Sequence, residues 1–193
     1  MQSDIDRILI SRDEIQQRLD QLADEIAADL RGEQDGGAPA EITLVPILTG
    51  SMIMVSDLMR RLPLRMQIHL VSVTSYPGEA TTSRGAAIEE ALTSLPDSLE
   101  SRHVVIVDDI LDSGATLELV TSLLRRRRPA SLRSCVLLRK QREQPPSVEA
   151  DYVAFAIPDE FVVGYGLDFD DYYRNLPDIV TLRRDLLPPE EPA

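Results

Sequence analysis

The chain has 193 residues, a length that suits one domain and at most two small ones. Its 43% hydrophobic and 27% charged residues supply a core and exclude a disordered chain. A formal charge of −13 disfavours broad, sequence-independent nucleic-acid binding, although a local pocket can still take a small polyanion. With no Trp and 4% aromatics, stacking platforms for single strands are scarce, and the single Cys135 excludes an intrachain disulfide framework or a multi-Cys metal cluster.

Taken in chain order, the first residues carry neither a basic n-region nor an apolar h-region, and no window reaches the roughly 18 apolar residues of a membrane helix. A cytoplasmic protein without a membrane partner is the expectation. Ser11-Arg12-Asp13-Glu14 has the spacing of a helix capping box. Ile15, Leu19, Leu22, Ile26 and Leu30 then recur every three or four residues, which predicts a long helix with one buried stripe, ended by Gly32, Gly36 and Gly37. Short β-rich runs follow at Ile42 to Leu48, Met66 to Val73, Val104 to Val107 and Val136 to Leu138. Several are apolar throughout, as in parallel strands covered on both faces. Helical spacing appears at 52 to 61 (Met52, Val55, Leu58, Met59) and at 115 to 127 (Leu117, Val120, Leu123, Leu124). This alternation predicts an α/β domain with a mainly parallel sheet, whose ligands bind beyond the carboxyl ends of the strands. One domain is expected over 1–187, with a loose tail at 188–193.

The chemistry concentrates in Val104-Val-Ile-Val-Asp108-Asp109-Ile110-Leu111-Asp112-Ser113-Gly114-Ala115-Thr116. A hydrophobic strand runs into two acids, then a third acid, a small-residue turn and a helix. Asp112 reads equally as a helix N-cap. Asp108 and Asp109 do not, because adjacent carboxylates repel unless a cation or hydroxyl donors meet them. Ser113, Gly114 and Thr116 suit a phosphate: small residues free the backbone N–H groups, and the helix start is positive. The Walker pattern is missing. The polar stretch from Thr74 to Ile88 reads either as a surface loop or as a lid.

The run VVIVDDILDSGAT resembles the phosphoribosyl-pyrophosphate (PRPP) loop of type I phosphoribosyltransferases. Lys140 together with Pro158-Asp159-Glu160-Phe161-Val162-Val163-Gly164-Tyr165-Gly166-Leu167-Asp168 narrows this to the hypoxanthine-guanine branch, and the similarity spans about residues 8 to 183. It implies the fold of that family, with a twisted, mainly parallel sheet flanked by helices and a small hood built from the N- and C-terminal segments. It also implies a purine-salvage activity, transferring ribose 5-phosphate from PRPP to hypoxanthine or guanine to give IMP or GMP and pyrophosphate.

By the same resemblance, Asp108 and Asp109 accept the ribose hydroxyls, and Ser113, Gly114, Ala115 and Thr116 hold the 5′-phosphate. Asp112 is the acid/base beside purine N7. Lys140 donates to the 6-oxo group, Phe161 stacks on the purine, Val162 bonds its edge and Ile110 closes the other face, with Asp168 nearby. Asp168, with Asp108 and Asp109, is the metal carboxylate set for Mg²⁺. Thr49, Gly50 and Arg174 contact pyrophosphate, and Ser75 and Tyr76 belong to the lid. Many relatives carry Leu-Lys-Gly where this chain has Leu48-Thr49-Gly50, so one positive charge is lost there, and relatives have a cis peptide in this loop. A homodimer or homotetramer is implied, with no nucleic-acid partner. Two alternatives stay open: a regulatory nucleotide- or RNA-binding module resting on Arg125-Arg126-Arg127-Arg128, and a transferase with another acceptor such as xanthine or a pyrimidine. The arginine run otherwise reads as a solvated helix end.

Overall fold

A computed structural model describes residues 1–32, 41–72 and 95–187. The lid residues Ser75 and Tyr76 and the tail 188–193 lie outside the described residues. In chain order, the main elements are β1 (Ile5–Ile10), α1 (Arg12–Gly32), β2 (Glu41–Leu48), α2 (Met52–Met59), β3 (Arg65–Ile68) and β4 (Val71–Ser72). They continue with β5 (His103–Leu111), α3 (Ala115–Arg125), β6 (Ser131–Gln141), β7 (Tyr152–Pro158), β8 (Val162–Val163) and β9 (Ile179–Leu182).

The larger sheet is parallel throughout, in the order β3-β2-β5-β6-β7, with β4 also pairing β2. Strand alternation explains how it acquires two covered faces. Val105 and Val107 pack with the α1 stripe and with Met54 and Leu58 of α2. Val104 and Ile106, one residue out of phase, pack with Leu117, Val120, Leu123 and Leu124 of α3. The capping box is formed: the Ser11 N–H donates to Glu14 Oε2 at 2.8 Å, and the Glu14 N–H returns to Ser11 Oγ at 3.4 Å. A second, antiparallel sheet of order β1-β9-β8 joins the two ends of the chain over its own small core of Val163, Val180 and Leu182.

Element boundaries differ from the sequence reading in instructive places. The strand expected over Val104 to Val107 runs on to Leu111, because β6 keeps pairing with it through Asp108, Ile110 and Leu111. The two acids thus sit inside the strand rather than after it. The run from Met66 splits into β3 and β4, with the His69 N–H bonded to Leu44 O at 3.0 Å between them. Helix α3 ends at Arg125, and the arginines beyond it are engaged locally. Arg127 donates to the carbonyls of Leu95 and Pro96 at 3.0 and 3.2 Å, and Arg128 pairs with Glu100 at 2.8 Å. That weakens the run as a nucleic-acid surface. Cys135 is fully buried, and burial pushes its thiol up, as suits strand filler rather than a nucleophile.

Candidate active site

Strand β5 is central in the sheet, and its carboxyl end opens into a cavity of about 590 Å³. That volume lies within the range of small-molecule sites, roughly 300–1,000 Å³. Three segments form the walls. The first is 108–117, the strand end and the turn into α3; the second is Ile47–Gly50, with Ser72 beside it; the third contributes Asp168, Asp171 and Arg174.

Asp108 is buried and accepts the Asp109 N–H at 3.0 Å, while Asp109 accepts the Ile110 N–H at 2.8 Å. Burial pushes both carboxyls above the ordinary carboxylate range, and the charge of Asp109 raises Asp108 further. Arg174 draws Asp109 the other way. Such a pair is an acceptor site in want of donors or a cation. Beyond it, Gly114 caps α3 with φ +86, a left-handed backbone conformation that glycine adopts without strain. No side chain caps this helix, so the N-cap reading of Asp112 is overturned: the Asp112 carboxylate faces Arg142 and Lys140 instead.

The Leu48–Thr49 peptide bond is cis, as the resemblance implies. Gly50 presses against Asp109, and a Cβ there would stand 1.5 Å from Asp109 Oδ2, so only glycine fits. Thr49 and Gly50 therefore face the same cavity as the acids. Across it, Arg174 pairs with Asp168 at 2.8 Å and with Asp171 at 3.0 Å, and donates to Gly166 O at 2.9 Å. Four non-glycine residues of this loop, Tyr165, Asp170, Asp171 and Tyr173, have positive φ. Strained backbone of this kind clusters at functional sites.

The groups expected to read a base divide. Ile110 lines the cavity itself; Lys140, Phe161 and Val162 do not. Lys140 is mostly buried, 3.1 Å from Asp159 and 3.8 Å from Asp112. Phe161 is 41% exposed, and its ring makes a T-shaped contact with Phe169, centroids 5.4 Å apart. Val162 is buried in β8, opposite Thr181. Asp168 shares the cavity with Asp108 and Asp109, yet the described residues contain no cluster of three or more metal-ligating side chains. The donor set fits a hard cation that takes one or two carboxylates and completes its shell with substrate oxygens and water. Sequence reasoning missed Arg142, Asp159 and Asp171. The first two lay within quoted or adjacent stretches, and the spacing of Lys140 and Arg142 on one strand end was the available signal.

An acidic strand end, a glycine-capped turn and a facing Asp–Arg loop on a parallel sheet define a phosphoribosyl-transfer fold. Residues 11–170 match the phosphoribosyl transferase domain, and the chain belongs to that family. It is 40% identical to the hypoxanthine-guanine phosphoribosyltransferase of Mycobacterium tuberculosis over 179 residues, covering 93% of this chain and 87% of that one. The enzyme of the same name from Staphylococcus aureus is 37% identical over 186 residues, 96% of this chain and 98% of that one. Among solved structures, a variant of the Trypanosoma cruzi hypoxanthine phosphoribosyltransferase complexed with the product IMP superposes with a TM-score of 0.79 at 38% identity, covering 94% of this chain and 93% of that one. Among the described residues, no helix is long and apolar enough to cross a membrane.

Proposed function

We propose that this chain is a purine-salvage transferase that moves ribose 5-phosphate from PRPP to N9 of hypoxanthine or guanine. The products are IMP or GMP and pyrophosphate. One observation carries the reading: the buried Asp108, its half-buried neighbour Asp109 and the 113–116 turn open into one cavity. A phosphorylated pentose supplies what they lack, hydroxyl donors for the acids and an anion for the start of α3. The names of the relatives, and the IMP bound by the T. cruzi enzyme, support the purine assignment.

In this reading Ser113, Gly114, Ala115 and Thr116 hold the 5′-phosphate through backbone N–H groups and hydroxyls. Asp108 and Asp109 accept from the ribose 2′ and 3′ hydroxyls. N9 of the base attacks C1′ as the C1′–O bond to pyrophosphate breaks, and the electron pair leaves with pyrophosphate. Asp112 takes the proton from N7, a role worth typically about 10²–10⁴-fold in rate. Lys140 donates to the 6-oxo group; a 6-amino group would set donor against donor, so adenine is rejected. Phe161 stacks on the ring, Ile110 closes its other face, and Val162 bonds its edge through the backbone.

Arg174 presents a planar fork to the leaving pyrophosphate, with the backbone of Thr49 and Gly50 opposite. Thr49 supplies no cation, so the charge burden there falls on Arg174. Ser75 and Tyr76 would cover the sugar and exclude water. Mg²⁺ suits the oxygen donors of Asp168, Asp108 and Asp109 and, when bound, offsets the charge of the leaving group. The assembly is a homodimer or homotetramer working in the cytoplasm. A spectrophotometric assay with PRPP, Mg²⁺ and each of hypoxanthine, guanine, xanthine, adenine and uracil tests the reading. Turnover should be fastest with hypoxanthine or guanine, and adenine or uracil outperforming both would overturn it.

A further inference from the structure

Lys140 lies near the carboxyl end of β6 and Arg142 one residue past it, and both side chains reach the same two carboxylates. These come from other strand ends, Asp112 after β5 and Asp159 just past β7. The four charges close into a ring. Arg142 Nη1 is hydrogen-bonded to Asp112 Oδ1, and Arg142 Nε lies 3.2 Å from Asp159 Oδ2. Lys140 Nζ lies 3.1 Å from Asp159 Oδ1 but 3.8 Å from Asp112 Oδ2. Lys140 is thus tight on Asp159 and slack on Asp112. The loop bearing Arg142 is itself fastened beside Asp112, because the Ser147 N–H donates to Ser113 O at 2.9 Å and Pro145-Pro146 restrict the chain between.

That slack is chemically useful. The 6-oxo group and N7 lie side by side on one edge of a purine, so a donor and a proton acceptor must reach them as two separate groups. A direct Lys140–Asp112 ion pair would satisfy each group with the other and leave that edge unread. We propose that Arg142 is a positioning residue that, by holding Asp112 in the ring with Asp159, keeps its carboxylate off Lys140 and so keeps the base-reading pair open. This rests on the purine-transferase reading of the site. The guanidinium fork suits the task, since it can hold two carboxylates at once where an ammonium is a single point charge.

The test compares wild type, Arg142→Ala and Arg142→Lys in steady-state kinetics, varying hypoxanthine and PRPP separately. Arg142→Ala should raise KM for hypoxanthine about tenfold while KM for PRPP changes less than about twofold, the signature of one lost substrate contact. Arg142→Lys should recover part of the loss, and the melting temperatures should agree within about 2 °C, because exposed ion pairs add little stability. An unchanged KM for hypoxanthine, or an equal rise for both substrates, would overturn the proposal. A crystal structure of unliganded Arg142→Ala decides independently of turnover. Lys140 Nζ should close on Asp112 to about 2.8 Å, and a gap still at 3.8 Å would refute the role of Arg142. A wild type that forms no IMP would sink the transferase reading instead, and the crystal structure would still judge Arg142.

Discussion

In the group proposed to hold the ribose 5-phosphate, every residue comes from one stretch of chain: Asp108 and Asp109 at the end of β5, then the turn 113–116 into the start of α3. In the group proposed to read the base, Lys140 comes from β6, Arg142 from just past its end, Asp159 from just past β7, Phe161 from just before β8, and Asp112 alone from the β5–α3 turn. The first arrangement is held by backbone: strand pairing fixes the acids, and a glycine-capped helix fixes the turn. The second is held by side-chain charges that are all partly exposed, except for the mostly buried Lys140. A site built from contiguous chain is placed by backbone pairing; one built from converging side chains can be altered residue by residue. Binding of the sugar phosphate should therefore tolerate substitutions in the second group, while base choice and proton transfer should not.

Substitutions break this contrast in order of size. Asp112→Asn removes the carboxylate proposed to accept the proton, and turnover should fall by about 10²–10⁴. Its PRPP affinity, measured by calorimetry, should stay near that of wild type; near-normal turnover would remove Asp112 from the chemistry. Gly50→Ala drives a methyl group into Asp109 Oδ2. Misplacing that carboxylate should cost about a hundredfold in kcat/KM, with PRPP binding weakened as well.

A smaller effect should appear in stability rather than rate. Burial, and then the charge of Asp109, raise the Asp108 carboxyl above its usual range. Well below the ordinary aspartate pKa of about 3.9, Asp108 is protonated in folded and unfolded chains alike, so it carries no penalty. As the pH rises through the carboxylate range, the unfolded chain releases this proton more readily, and stability is lost. Asp108→Asn should therefore be more stable than wild type at pH 7 by about 1–3 kcal/mol, with the gap closing in acid, even as activity falls. Denaturant melts at several pH values would show it, and a gap that widens in acid would refute the sign. The smallest effect is outside the site: Ser11→Ala should cost about 1 kcal/mol through the lost cap of α1 and leave turnover unchanged.

The same contrast explains what was legible in the sequence. The α1 stripe, the apolar strands and the DDxxDSGxT turn were readable because their signals are local: a period, a run, a spacing. The length of β5 was not, because Asp108 and Asp109 stay in the strand only through pairing with β6, which hydropathy does not record. The hood of the two terminal segments was legible through the resemblance, but not its strand register, since β1 and β9 pair residues such as Ile8 and Val180 across nearly the whole chain. Arg142 drew no reading and Asp159 counted only as part of the Pro158–Asp168 run, and only the convergence of three strand ends reveals that they face each other.

The central claim is that the β5 end and the turn after it hold a phosphorylated pentose. A crystal structure with bound IMP tests that directly. The 5′-phosphate should sit on the N–H groups of 113–116, with the ribose hydroxyls on Asp108 and Asp109 and the base between Ile110 and Phe161. An IMP molecule bound elsewhere, with that turn and both acids untouched, would contradict the account.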